Sequence, residues 1–219
     1  MLKFFFLLAT LAFSASSSAQ KAEAVYMNTK DSSANYYIAM VPELSAPKGL
    51  LVLIPGAFQT PESVVWQTAL YKEAAQKGIL TIIPLSVRGT ESFGIDSISQ
   101  HSFHGLIDHA VSKYKLTGKN FYIGGFSLGG SAAVKYAELA ADNIGWLKPD
   151  AVFAIDPPLD FERYYNAVQR IIRLTPAAQV NKELPYMVNK IEQEIGGSPE
   201  TSLEKFYKLS PYSYSDAQQ

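Results

Sequence analysis

The sequence predicts an α/β fold in which a mostly parallel sheet carries helices on both faces and an antiparallel hairpin at its N-terminal edge. Two observations predict the parallel part. Continuous apolar runs have the composition of strands that are buried on both faces, and they occupy residues 49–54, 79–85, 120–124 and 151–155. Segments with helical periodicity separate these runs, so the strands are joined by crossovers and run parallel.

The bulk composition indicates one globular domain. The chain has 219 residues, of which 47% are hydrophobic and 18% are charged. The net charge is −1 without a basic tract, which argues against a nucleic-acid partner. The absence of cysteine excludes disulfides, thiolate metal sites and cysteine nucleophiles.

The first 19 residues have the pattern of a secretory signal peptide. Lys3 precedes an apolar run at residues 4–13, and Ser17 and Ala19 fit the small-x-small rule for cleavage after Ala19. The run is too short to span a bilayer, and no other run is long enough. We therefore expect a secreted or periplasmic protein without a membrane span after cleavage. The alternative is a helix that tethers the chain to a membrane.

The remaining elements follow in order along the chain. Residues 22–28 and 35–41 are rich in Val, Tyr, Ile and Met and are joined by a polar stretch, which predicts the hairpin. After the first buried strand, Thr60 and Pro61 are the cap and first residue of a helix predicted to reach Lys77. After the second buried strand, a polar loop at 86–100 leads to a helix predicted over 102–114.

The stretch around Ser127 carries the interpretation of function. An apolar run precedes Gly125-x-Ser127-x-Gly129, and a helix-compatible segment rich in small residues follows. This order of strand, sharp turn and helix resembles the nucleophile elbow of the α/β-hydrolases. The resemblance implies that Ser127 is the nucleophile and that its hydroxyl lies at the carboxyl end of the sheet. The alternatives are a plain tight turn and a phosphate-binding loop, and no Lys follows the glycines to support the second.

The resemblance also implies an oxyanion hole, a pair of N–H groups that binds the negative oxygen formed when a serine attacks a carbonyl. One donor is the amide of Leu128, directly after the nucleophile. The second is expected in the loop after the first buried strand, where we favour Ala57. Phe58 could supply this donor instead, or form the wall of a substrate-binding acyl pocket. The sequence has Pro55-Gly56 where many relatives have His-Gly.

The base that should activate Ser127 is missing from its usual place. The triad order in this superfamily is Ser, acid, His, but all three histidines precede Ser127. His104 and His109 fall on or beside the polar face of the predicted helix, so we expect them to be solvated surface residues. His101 falls in the preceding loop and is the one that could line the site.

Asp156, at the end of the strand at 151–155, is the candidate acid. An acid at this strand end occurs in some hydrolases, although one strand later is more usual. The alternative is that Asp156 caps the turn beside two prolines. Asp160 is better interpreted as the cap of the following helix.

Residues 160–219 contain three amphipathic pieces, at 161–174, 176–195 and 199–209, with many Tyr residues. The resemblance implies a helical lid over the site, and the alternative is an ordinary helical layer on the sheet. We therefore divide the chain into a signal peptide at 1–19, an α/β-hydrolase core at 20–159 and a helical lid or insertion at 160–219.

The predicted sheet stops at the strand over 151–155, whereas the superfamily usually adds two more strands and a closing helix. We expect a carboxyl-truncated form whose acid and histidine lie in the missing part. The alternative is a complete protein that has lost the triad and only binds.

The predicted function is that of a secreted serine hydrolase that cleaves a carboxylic ester through an acyl-enzyme on Ser127. Its partner would be a small-molecule ester or acyl substrate, and no metal or organic cofactor is implied. The rivals are a non-catalytic ligand-binding protein on the same fold and a secreted peptidase. The oligomeric state is left open.

Overall fold

A computed structural model describes residues 20–28, 30–43, 46–176 and 182–213. The predicted signal peptide lies outside these residues. Among the helices that the structure describes, none has both the length and the apolar composition needed to cross a membrane.

The sheet has six strands in the order β1-β2-β4-β3-β5-β6. The strands are β1 (Gln20–Tyr26), β2 (Tyr36–Pro42), β3 (Gly49–Ile54), β4 (Ile79–Leu85), β5 (Asn120–Phe126) and β6 (Ala151–Ile155). The hairpin strands β1 and β2 pair antiparallel, and β2 pairs antiparallel with β4. Strands β4, β3, β5 and β6 are parallel to one another. The predicted mixed sheet is therefore confirmed.

Helices surround this sheet. They are α1 (Pro61–Gln67), α2 (Leu70–Gln76), α3 (Ser97–Lys113), α4 (Leu128–Asp142), α5 (Phe161–Leu174), α6 (Glu183–Ile195) and α7 (Pro199–Leu209). The predictions at 161–174 and 199–209 are confirmed as α5 and α7. Strand β3 is buried along its whole length, as expected for a strand with helices on both faces.

Two predicted helix boundaries are wrong for local reasons. The helix predicted over 61–77 breaks at Thr68, which is extended (φ −139°, ψ 150°). The hydroxyl of Thr68 accepts a hydrogen bond of 3.1 Å from the Leu70 N–H at the start of α2. Helix α3 begins five residues earlier than predicted because the Asp96 carboxylate caps it, accepting hydrogen bonds of 3.0 Å from the N–H groups of Ile98 and Ser99.

The helices α5 to α7 pack at the carboxyl end of the sheet. Their buried apolar side chains form one cluster with Phe93 and Leu128, and Ala57 packs against this cluster. Phe161 stacks on Phe93 at a centroid distance of 5.9 Å. The C-terminal helices therefore rest on the turns where β3 and β5 end, which is the region of the predicted site.

Candidate active site

Ser127 occupies a strained turn between β5 and α4. Its backbone has φ 50° and ψ −131°, a region that side-chain-bearing residues seldom adopt. The turn is held by a 2.9 Å hydrogen bond from the Ser127 N–H to the carbonyl of Ile155 in β6. A second bond of 2.9 Å runs from the Gly130 N–H to the Ser127 carbonyl. This is the local geometry that the elbow motif predicts.

The glycines on either side of Ser127 allow direct contact between backbones. A Cβ atom at Gly129 would lie 2.2 Å from the carbonyl oxygen of Ile54 and 2.5 Å from that of Pro55. A Cβ atom at Gly125 would lie 2.5 Å from the carbonyl carbon of Gly129. These distances are far below van der Waals contact, so only glycine lets α4 approach the end of β3 this closely.

The loop after β3 is a tight turn held by three hydrogen bonds. The Gln59 side-chain oxygen accepts a 2.9 Å bond from the Gly56 N–H. The Gln59 N–H donates to the Gly56 carbonyl over 3.2 Å, and the Phe58 N–H donates to the carbonyl of Thr90 over 2.8 Å. Because the Phe58 amide is already engaged, it is a poor candidate for the second oxyanion donor.

Two other amides near Ser127 have no acceptor among the described residues. They are the N–H of Ala57, in this loop, and the N–H of Leu128, in the first turn of α4. The first N–H groups of a helix have no partner within the helix, which accounts for Leu128. The side chains of both residues pack against the cluster of the C-terminal helices. Of the two loop amides considered in the sequence analysis, that of Phe58 is engaged and that of Ala57 has no acceptor among the described residues.

A cleft of about 390 Å³ joins these features. It is lined by Gly56, Ala57, Phe58, Gln59, Ser127, Leu128, Asp156, Pro157, Pro158, Tyr164, Glu183 and Met187. Ser127 is exposed, and its hydroxyl has no hydrogen-bond partner in the described part of the chain. Apart from glycine, five described residues have a positive φ, and three of them, Phe58, Ser127 and Asp156, line this cleft. Strained backbone is therefore concentrated at one place, as it often is at functional sites.

Asp156 lies beside Ser127 because β6 is the parallel neighbour of β5. It follows the last residue of β6 with φ 52° and faces the cleft as an exposed residue. Its carboxylate makes no hydrogen bond to a described residue, so the alternative of a turn cap is not found. Asp160 does cap α5, because its Oδ1 accepts a 2.9 Å bond from the Arg163 N–H.

None of the three histidines lines the cleft. All lie on α3, so the expectation that His101 sits in a loop near the site is wrong, since Asp96 starts the helix earlier. His101 Nδ1 donates to the Ser97 carbonyl over 2.7 Å, and its ring contacts Trp146 edge-on. These contacts hold His101 on the α3 side of the sheet.

The expectation that the other two histidines are solvated is also wrong. Both are partly buried. His104 stacks on Trp146 at 4.5 Å and pairs with Asp108 at 3.3 Å. His109 Nδ1 lies 2.9 Å from the hydroxyl of Tyr37. Each therefore has a structural partner away from Ser127.

The C-terminal helices border the cleft on one side. Tyr164 of α5 and Met187 of α6 line it, and Tyr186 of α6 contacts the ring of Phe58 at a centroid distance of 5.7 Å. Because Ser127 is exposed, these helices form a wall beside it and leave its side chain open to solvent. The aromatic composition of residues 160–219 was the sequence signal for this wall.

The charged residues that line the cleft, among those the structure describes, are both acidic. Asp156 and Glu183 both line it, and no Lys, Arg or His does so among the described residues. Burial raises the pKa of Tyr164, and the charge of Glu183 adds to the effect. The described residues contain no group of three or more His, Cys, Asp or Glu side chains that could hold a metal ion.

Glu183 and Gln59 are cleft residues that sequence reasoning missed, since no motif marks either one.

Comparison with solved structures identifies the fold. A proposed esterase from Staphylococcus aureus aligns with 89% of this chain and 60% of its own, at 16% identity and a TM-score of 0.58. Carboxyl esterase 2 of the fungus Tuber melanosporum aligns with 91% of this chain and 62% of its own, at 12% identity and a TM-score of 0.55. The fluorophosphonate-binding serine hydrolase F of Staphylococcus aureus aligns with 79% of this chain and 74% of its own, at 14% identity and a TM-score of 0.51.

The chain therefore has the α/β-hydrolase fold, as the elbow motif predicted. It spans about 60% of the length of the two esterases. The comparisons with protein-family models and with curated proteins found no match.

Proposed function

We propose that this chain is a serine hydrolase that cleaves a carboxylic ester through an acyl-enzyme on Ser127. The observation that supports this most is the joint placement of an exposed, strained Ser127 and the N–H groups of Ala57 and Leu128 on one cleft. Esterases and serine hydrolases among the structural neighbours add support at the level of the fold. Secretion through the N-terminal segment is part of the same proposal.

In the proposed mechanism, Ser127 Oγ attacks the carbonyl carbon of the ester and loses its proton to a base. The carbonyl oxygen becomes an oxyanion, which accepts hydrogen bonds from the N–H groups of Ala57 and Leu128. The tetrahedral intermediate then collapses, and the alcohol leaves with a proton while the acyl group stays on Ser127. Water repeats the attack on this acyl ester, which releases the carboxylic acid and restores the serine.

Asp156 is the proposed proton acceptor among the described residues. It is the carboxylate at the end of the strand next to Ser127, and it faces the same cleft. A carboxylate is a weaker base than imidazole at neutral pH, so we propose slow turnover for this site.

Asp156→Asn is expected to lower the rate of acyl-enzyme formation by about tenfold or more, because a neutral carboxamide is too weak a base to take the serine proton. The substitution keeps the size of the side chain, so the folded structure should persist. Pre-steady-state release of p-nitrophenol from p-nitrophenyl acetate measures this step. An unchanged rate in Asp156→Asn would assign the proton to another base.

Gln59→Leu is expected to lower kcat about tenfold while KM changes little. The substitution removes the acceptor of the Gly56 N–H, and the loop then holds the Ala57 amide less firmly. Gln76→Leu, on the exposed surface of α2, is the matched control and should leave both parameters unchanged. Equal kcat in Gln59→Leu and in the unmodified chain would argue against a positioning role for this side chain.

A second candidate function is a ligand-binding protein without catalysis. It is favoured by one observation, the absence of all three histidines from the cleft. The two candidates differ in the first turnover. A hydrolase releases a burst of p-nitrophenol close to one per chain from p-nitrophenyl acetate, because acylation precedes slow deacylation. A folded chain that gives no burst would favour the binding protein.

A further inference from the structure

A second cavity adjoins the cleft of Ser127. This cavity, the α5 groove, has a volume of about 330 Å³ and is formed by the turn after β6, the first half of α5 and Tyr212. It is lined by Pro157, Pro158, Leu159, Asp160, Arg163, Tyr164, Ala167 and Tyr212. Pro157, Pro158 and Tyr164 also line the cleft, so the two cavities are direct neighbours.

The backbone of the α5 groove offers few hydrogen bonds to a ligand. Pro157 and Pro158 have no N–H group. The carbonyl of Pro158 accepts a 2.9 Å hydrogen bond from the Ser131 hydroxyl, and the carbonyl of Leu159 accepts a 3.2 Å bond from the Tyr212 N–H. A polar ligand group placed against this backbone would lose hydrogen bonds to water and gain few in return, whereas a hydrocarbon chain has none to lose.

The side chains of the α5 groove are also suited to a hydrocarbon chain. Leu159 and Ala167 add apolar surface beside the two prolines and the two tyrosine rings. The two charged residues of the lining, Asp160 and Arg163, have opposite signs, and each has an interaction partner. The lining therefore has no net charge, and burial of apolar surface is the affinity that it can offer.

We propose that the α5 groove binds a hydrocarbon chain of the ester while the ester carbonyl lies at Ser127, so that the site prefers esters with a hexanoyl or hexyl chain over acetates of short alcohols. This inference rests on the proposed function, since it names the substrate class of the same site. A chain that leaves Ser127 over Pro157 and Pro158 enters the groove. The proline rings fix the backbone φ of this turn, so the groove is formed before the chain binds.

The test compares esters that differ in chain length alone. The pair p-nitrophenyl hexanoate and p-nitrophenyl acetate reports a chain on the acyl side, and the pair hexyl acetate and ethyl acetate reports a chain on the alcohol side. After correction for the uncatalysed rates, we expect kcat/KM to be about tenfold higher for the longer ester of at least one pair, because an open groove buries part of the added apolar surface.

Ala167→Phe should reduce this preference about fivefold or more, because its ring would occupy the groove in place of the chain. Ala167 is exposed on α5, so the folded structure should persist. Ala141→Phe makes the same exchange at an exposed position of α4 outside both cavity linings and should keep the preference. Equal kcat/KM values within both pairs, or an equal effect of the two substitutions, would overturn the inference.

Failure of this inference and failure of the proposed function give different results. A chain that hydrolyses these esters without a preference for length would keep the hydrolase and overturn the role of the groove. For a chain without hydrolysis, ligand-observed NMR compares the binding of methyl hexanoate and methyl acetate. Tighter binding of methyl hexanoate that Ala167→Phe removes would keep the groove as a ligand site and overturn the acyl-enzyme, whereas equal binding would overturn both.

Discussion

Gly129→Ala is expected to destabilise the protein by about 3 kcal/mol or more and to abolish ester hydrolysis. The added Cβ would lie 2.2 Å from the carbonyl oxygen of Ile54 and 2.5 Å from that of Pro55. Both obstacles are backbone atoms, so relief requires α4 and the end of β3 to move apart. That movement would displace Ser127 and the Leu128 amide together. Urea unfolding measures the free energy, and p-nitrophenyl acetate measures the activity.

Gly105→Ala is the matched control for this prediction. Gly105 lies inside α3, and a Cβ atom there would meet nothing within 4 Å. Alanine is the better helix former, so this variant should gain about 0.5–1 kcal/mol and keep its activity. A Gly129→Ala variant with unchanged stability and activity would contradict the close approach of α4 to β3.

Ser127→Ala is expected to remove the p-nitrophenol burst and reduce hydrolysis to the uncatalysed rate. Stability should change by less than about 0.5 kcal/mol, because the hydroxyl is exposed and has no partner among the described residues. The expected result is therefore a folded protein with no activity. Circular dichroism and urea unfolding establish the first property, and burst kinetics the second.

Ser131→Ala separates loss of the nucleophile from loss of any nearby serine. Ser131 lies one turn further along α4, and its buried hydroxyl donates a 2.9 Å hydrogen bond to the Pro158 carbonyl. Its removal should cost about 1 kcal/mol of stability and leave the burst intact. The reverse pattern, with a burst in Ser127→Ala and none in Ser131→Ala, would indicate that Ser131 is the nucleophile and would contradict the proposed mechanism.

The fold could be predicted from the sequence because each central strand is a continuous apolar run. A strand such as β3, buried along its whole length, needs apolar residues on both faces and therefore leaves a clear pattern. The elbow was predictable for a different reason. The spacing of Gly125, Ser127 and Gly129 follows from steric contact between backbones, and that contact is found in the structure.

Gln59 and Glu183 could not be predicted as cleft residues because their positions depend on contacts between distant segments. The Gln59 side chain accepts a hydrogen bond from the Gly56 N–H only in this turn conformation. The turn is also held by the Thr90 carbonyl, which accepts from the Phe58 N–H and lies far along the chain. Glu183 reaches the cleft only through the packing of α6, which no local pattern encodes. The placement of His101 failed because one capping residue, Asp96, decided where α3 begins.

The most direct test of Ser127 as an activated nucleophile is its reaction with a fluorophosphonate. The full chain is incubated with the reagent, and intact-mass and peptide-mapping mass spectrometry locate the adduct. We expect one phosphonyl group per folded chain, attached to Ser127, no adduct in Ser127→Ala and slower modification in Gln59→Leu. A folded chain that stays unmodified at Ser127, under conditions in which a known serine hydrolase reacts completely, would contradict the acyl-enzyme mechanism.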